Sequence, residues 1–167
     1  MTPDERATTD GEYGSSDPLV RPKGYVEETP VIRRIGDREL YLGNRLAADP
    51  EEHDRTFDYV LSATTETQPL TTHHRPLTDG PGNGWVVFES AVDTARTLYR
   101  REGSVLVNCK AGISRSTTVI AAALAAEEDR TFRDALAFVH DARPYAMPNP
   151  ALHELAVVYL AARSRPA

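Results

Sequence analysis

The chain has 167 residues, 40% of them hydrophobic, with one cysteine and a formal net charge of −6; that length suits one domain whose core stands without staples. A single cysteine excludes an intramolecular disulfide framework and a Cys-rich metal site, and fits a reducing compartment, the cytoplasm. The acidic balance argues against nucleic-acid or anionic-membrane binding, no apolar run reaches the ~18 residues of a membrane span, and the N-terminus lacks the apolar stretch of a signal peptide.

Residues 1–28 mix Thr, Ser, Asp, Glu, Gly and Pro with few apolar side chains and read as a solvated tail, leaving 29–167 as the folded domain. Val31–Ile35 and Glu39–Gly43 then read as two short strands about the turn Gly36-Asp37. Asp49-Pro50-Glu51-Glu52 has the Pro and acidic residues of a helix start. Phe57–Ser62 and Thr72–Leu77 are predicted strands, followed by the loop Thr78-Asp-Gly-Pro-Gly-Asn-Gly84, too rich in Gly and Pro for a regular element. From Trp85 to Arg101 the period becomes helical, with Phe88, Ala91, Ala95 and Leu98 on one face, and Glu102-Gly103 ends it. Val105–Val107 is a buried strand and Val119–Ala126, rich in Ala, a buried helix. Thr131 is the N-cap of a further helix with Phe132, Leu136 and Val139 as its stripe. Ala142–Pro150 is extended, and a last helix over Leu152–Arg163 turns Leu152, Leu155, Val158 and Tyr159 inward.

The segment between the buried strand and the Ala-rich helix carries the chemistry. Cys109-Lys-Ala-Gly-Ile-Ser-Arg115-Ser116 is a loop that feeds a helix N-terminus. Such a loop curls so that its N–H groups point inward and, with the helix dipole, favour an anion. Arg115 adds a planar fork for two phosphate oxygens. The same field favours a thiolate at Cys109, which then faces the bound phosphate as a nucleophile.

These residues resemble the C-x5-R-S/T signature of the cysteine-dependent phosphatases, in the form typical of the dual-specificity branch. Further likeness lies in Ile35–Asn44, which resembles that family's opening hairpin, and in the Ala135–Leu160 pattern, so that the resemblance covers about 31–162. It implies a single α/β domain, a central mixed sheet of four or five strands with helices on both faces. It implies Cys109 as nucleophile, and a cradle from the backbone of Lys110, Ala111, Gly112, Ile113, Ser114 and Arg115 with the Arg115 side chain. Ser116 would donate to the departing thiolate. Pro76-Leu-Thr-Asp79 is similar to the segment that holds the family's general acid, which makes Asp79 the proton donor. Asn149 matches the Asn that braces the phosphate loop. The chain departs from the pattern at Asn108, where the family usually carries His. Asn makes hydrogen bonds there but does not titrate.

The reaction implied is hydrolysis of phosphotyrosine and phosphoserine/threonine in proteins, without metal or cofactor. A chain this short leaves little sequence for the loop that deepens the pocket of tyrosine-specific enzymes. Lys110, directly after the nucleophile, weakly favours a non-protein ester such as a phosphoinositide or an RNA 5′-phosphate. A phospho-binding module without turnover is the other alternative, against which the intact Cys109, Arg115 and Asp79 count. His73-His74 reads as a strand-end pair rather than a metal site, lacking companions at ligand spacing.

Overall fold

A computed structural model describes residues 27–163; of the expected tail, residues 1–26 lie outside this range. Five strands form one mixed sheet: β1 Ile32–Arg34, β2 Leu40–Gly43, β3 Tyr59–Ser62, β4 His73–His74 and β5 Val105–Asn108, in the order β1-β2-β5-β3-β4. β1 and β2 are the antiparallel hairpin about Gly36-Asp37, with Ile32 opposite Gly43. The other pairings are parallel, with Gly43 and Ser62 flanking Asn108 at the end of β5. The chain enters the middle of the sheet last, so the C-terminal end of β5 opens between two strands laid down earlier. In open parallel sheets that is where ligands bind.

Four helices follow the predicted periods: α1 Trp85–Arg100, α2 Arg115–Glu127, α3 Phe132–Ala142 and α4 Pro150–Arg163. Thr131 caps α3 by accepting from the Asp134 N–H at 3.0 Å. α2 is buried from Ser116 to Ala125, as a helix apolar on all sides must be, with the other three helices around it.

Strand alternation sends Leu40, Leu42, Leu61, Val105 and Val107 into one core with all four helices. Tyr41, Val60 and Leu106 point to the opposite face. That face holds no α-helix among the described residues, although helices on both faces were expected. It is covered by the 3₁₀ turn Arg45–Ala48, through Ala47 and Ala48, and by Phe57 and Leu70. The helix start expected at Asp49–Glu52 is a turn instead. Asn44 starts the short helix earlier, its Oδ1 accepting from the Ala47 and Val31 N–H groups at 3.1 and 3.0 Å, and the helix has ended before Pro50. β4 is two residues long rather than the six predicted. On α4, Val158 is half exposed. The buried positions are Leu152, Ala156 and Tyr159, and 158 lies about 120° round the helix from 152.

Glu128, just beyond α2, ties the far end of the molecule together. Arg38 donates to both its oxygens, at 2.7 and 2.8 Å, Tyr99 donates at 2.6 Å and Arg130 at 2.9 Å. Arg38 and Arg130 both lie over the Phe138 ring. The Arg38 hydrogen bonds, against the opposing cost of burial, lower the Glu128 carboxyl to about 2, while burial and Glu128 raise Tyr99 to about 12. A carboxyl held low when folded stabilises the protein above its unfolded value near 4.5 and loses that contribution as pH falls toward 2. The contribution is on the order of 3 kcal/mol. Glu128→Gln is therefore expected to lower the melting temperature at pH 7 and to flatten its decline between about pH 5 and 2. Parallel melting curves of variant and wild type across that range refute this assignment.

Candidate active site

The loop after β5 turns back over the end of β2. The Cys109 N–H donates to the Gly43 carbonyl at 3.2 Å and the Arg45 N–H to the Lys110 carbonyl at 3.1 Å. Gly112, at φ 68°, crosses here: a Cβ would meet the Gly43 carbonyl at 3.1 Å and the Asn44 nitrogen at 3.2 Å. Both the left-handed backbone and the close approach demand glycine.

The loop's polar groups divide by direction. Each carbonyl from Lys110 to Ser114 is taken by a donor behind the loop. Arg45 takes the first, Arg143 those of Ala111 and Gly112 at 3.1 and 3.2 Å, the Met147 N–H that of Ile113 at 2.9 Å, and Thr118 that of Ser114. The six N–H groups from Lys110 to Arg115 find no acceptor among the described residues. With their carbonyls tied back, these N–H groups stand beside the N-terminus of α2, an arrangement suited to an anion.

Cys109 opens this loop and is buried, 2% exposed. Its sulfur lies 3.2 Å from the Ser116 hydroxyl, and the Ser116 N–H donates to it at 3.4 Å. Arg115, the first residue of α2, spends one guanidinium nitrogen on the Leu77 carbonyl at 3.2 Å, which leaves its other donors for an oxyanion. That bond also ties the cradle to the segment leading to Asp79. Asp79 is exposed, and its carboxylate has no partner among the described residues. Its loop is closed by Asn83, which accepts from the Thr78 N–H at 2.8 Å and donates to the Thr78 and Gly80 carbonyls at 2.9 and 3.2 Å.

The model of the dual specificity phosphatase catalytic domain matches residues 40–159, a span that holds the loop, Asp79 and all four helices up to Tyr159. The chain belongs to the dual specificity phosphatase family. Dual specificity protein phosphatase 15 of Homo sapiens is 33% identical over 69% of this chain and 41% of its own length. Dual specificity protein phosphatase 1 of Arabidopsis thaliana is 30% identical over 68% of this chain and 61% of its own. The chain thus spans less than two thirds of either relative. Among solved structures, that of human DUSP28 superposes with a TM-score of 0.72 at 23% identity, covering 84% of this chain and all of that one. That of DUSP15 gives a TM-score of 0.64 at 27% identity, covering 77% of this chain and 86% of that one.

At the position where dual specificity phosphatases usually carry His, the structure sends the Asn108 side chain away from the sulfur. Its Oδ1 accepts from Ser62 at 2.6 Å, and its Nδ2 donates to Gln68 Oε1 at 2.9 Å and to the Asn44 carbonyl at 3.3 Å. Successive residues leave an extended chain on opposite sides, so Asn108 locks β2, β3 and the Gln68 turn rather than facing the thiol. Asn149 touches both halves of the site. Its N–H donates to Ser114 Oγ at 2.8 Å, its Nδ2 reaches the Asp79 carbonyl at 3.5 Å, and its Oδ1 accepts from the Ala151 N–H at the start of α4.

Sequence reasoning missed Arg143 and Asn83. Arg143 is 1% exposed, and besides its two loop carbonyls it pairs with Glu27 at 3.3 Å. The only signal was an arginine placed before Pro144, outside any helical stripe; for Asn83 it was an Asn between glycines. An ammonium cannot span two carbonyls and a carboxylate as a guanidinium does. Arg143→Lys is thus expected to destabilise the fold by about 1–3 kcal/mol and to reduce kcat/KM by roughly tenfold or more as the cradle loosens. Urea unfolding and initial rates check the two parts; an unchanged kcat/KM would mean that the loop holds its shape without Arg143.

Proposed function

We propose that the unit assigned to residues 29–167 hydrolyses phosphate monoesters on proteins, at phosphotyrosine and phosphoserine/threonine, through a cysteinyl-phosphate. The observation that carries this reading is the Cys109–Arg115 loop, whose carbonyls from Lys110 to Ser114 are all tied by donors while its six N–H groups from Lys110 onward find no acceptor among the described residues, with the Cys109 sulfur beside Ser116 at the start of α2. The names of the relatives, dual specificity protein phosphatases, support the choice of protein substrates.

The equatorial oxygens of the phosphoryl group sit on the loop N–H groups and the Arg115 fork, which take up charge in the transition state. The Cys109 thiolate attacks phosphorus as the bond to the leaving oxygen breaks. The Asp79 carboxylic acid gives that oxygen its proton. A water then attacks the cysteinyl-phosphate, the Asp79 carboxylate takes a proton from it, and the sulfur–phosphorus bond breaks. Ser116, already within hydrogen-bond distance of the sulfur, donates to the thiolate as it departs.

The test is turnover of phosphotyrosine and phosphothreonine peptides, with and without a chelator, beside a phosphoinositide and an RNA 5′-phosphate. Release of phosphate from both peptides, insensitive to chelation, is expected. Preference for either non-protein ester would move the assignment to that class, and tight binding without release would make the chain a phospho-binding module.

A further inference from the structure

At the β4 edge of the sheet, the strand and the flank of α1 enclose an open groove of about 470 Å³. His73 and Arg75 border it from the strand side, Thr94 from the helix, and Arg101 lies where α1 has ended. Glu89 and Asp93 border it too, but both are engaged by Arg163 of α4, at 2.9 and 3.4 Å, and Asp93 also accepts from Tyr159. Arg75 and Arg101 have no carboxylate within ion-pair distance among the described residues. Arg75 is held rigidly, its Nε donating to Thr94 Oγ1 at 3.1 Å and its Nη1 to the His74 carbonyl at 2.9 Å, which leaves Nη2 open. Arg101 stacks over the Tyr59 ring, its carbon 5.4 Å from the centroid.

The His73 imidazole senses this surplus. Partial burial lowers its pKa below the ordinary value, and the charges of Arg75 and Arg101 lower it further. In a chain of net charge −6, two fixed guanidinium groups without counter-ions, converging on one groove, are matched by an anion brought from outside.

We propose that this groove docks an acidic segment of the substrate protein, with aspartate or glutamate side chains set some way along the chain from the phosphorylated residue. The proposal rests on the reading of this chain as a protein phosphatase. Arg75 stands four residues before Asp79, so it lies within about 14 Å of the acid loop. Both Val86 and Arg101 border the groove, which makes it about 22 Å long at ~1.5 Å per helical residue. That accommodates about six or seven residues of extended chain. A peptide leaving the phosphate cradle along α1 meets Arg75, which is bonded to Thr94 midway along the helix, about four residues from its phosphate, and Arg101, about 10 Å further on, about seven residues from it. A concave groove between a strand edge and a helix fits a peptide better than the flat face of a bilayer.

Two phosphotyrosine peptides test this, one with Asp and Glu at positions four to seven from the phosphate, on either side, the other with Ser and Gly there. The acidic peptide is expected to have a KM about fivefold lower at low salt, with kcat unchanged. The difference should vanish at about 0.5 M salt, and in Arg101→Glu, which should handle the neutral peptide as wild type does. Separately, an acidic peptide without phosphate is followed by NMR on the His73 ring, which faces Arg75, Arg101, Tyr59 and, across the groove, Glu89 and Asp93. The imidazole titration is expected to move upward when the peptide binds. Equal KM values in wild type, a preference that survives in Arg101→Glu, or a His73 signal indifferent to the acidic peptide overturns the proposal. A response to anionic vesicles but not to the peptide overturns it equally. A His73 response in a protein that turns over neither phosphopeptide supports the acidic-peptide site and removes the catalytic reading instead.

Discussion

Cys109→Ser is expected to bind phosphotyrosine peptide about as tightly as wild type and to release no phosphate. Binding survives because the groups proposed to hold the phosphate are the loop N–H groups, the Arg115 fork and the N-terminus of α2, none of which the substitution touches. The hydroxyl keeps a hydrogen-bonding neighbour in Ser116, 3.2 Å from the present sulfur. Turnover ends because a serine hydroxyl needs a base to become a nucleophile, and no His, Asp or Glu side chain hydrogen-bonds to the residue at this position among the described residues. Asn108, its neighbour in sequence, faces Ser62 and Gln68 and cannot serve. Calorimetric titration with phosphopeptide measures the first half, and phosphate release the second. A rate above about a hundredth of wild type refutes the covalent mechanism. Rapid quenching of the wild-type reaction adds a direct check, since a phosphoryl group on Cys109 should be found by mass spectrometry and be absent from the variant.

The parts of the molecule legible in the sequence are those whose signal is local and repeated. Phe88, Ala91, Ala95 and Leu98 announce α1 by period alone, and all four are buried. Val105–Val107 followed by a loop and the Ala-rich run gives β5, the cradle and α2 together, because an apolar strand and a helix apolar on all sides belong in the interior. Signals set by a single distant partner were not legible. Asp49-Pro50-Glu51-Glu52 has the composition of a helix start, but Asn44 captures the Ala47 and Val31 N–H groups first and the chain turns there. Val158 is as apolar as its buried neighbours, yet the packing of Leu152, Ala156 and Tyr159 fixes the rotation of α4 and leaves it outward. Asn108 occupies the expected place in the motif, but the pleat of β5 decides which way it faces. Arg143 holds the loop carbonyls from 31 residues away, a relation no spacing rule contains.

Asp79→Asn is expected to lower kcat with phosphotyrosine peptide by about 10²–10⁴-fold, the range of a positioned general acid. Asparagine keeps the size and hydrogen bonding of the side chain but has no proton to give. The loop should hold its shape, because Asn83 binds Thr78 and Gly80, and Asn149 and Arg115 reach the carbonyls of Asp79 and Leu77; none of these contacts uses the Asp79 carboxylate. Three readouts separate loss of a proton donor from loss of structure. First, the basic limb of the pH–rate profile should flatten, since no carboxylic acid remains to be lost by ionisation as pH rises. Second, the deficit should shrink with an aryl phosphate whose leaving group is already acidic and departs unprotonated. Third, KM should change little, because Asp79 does not belong to the cradle. Asn83→Ala makes the complementary case: it leaves the acid in place but opens the loop that carries it. It should therefore show a smaller deficit with the same dependence on the leaving group and a basic limb that is still present. A uniform loss across leaving groups in Asp79→Asn, with the basic limb intact, would place the proton donor elsewhere and leave Asp79 an ordinary turn residue.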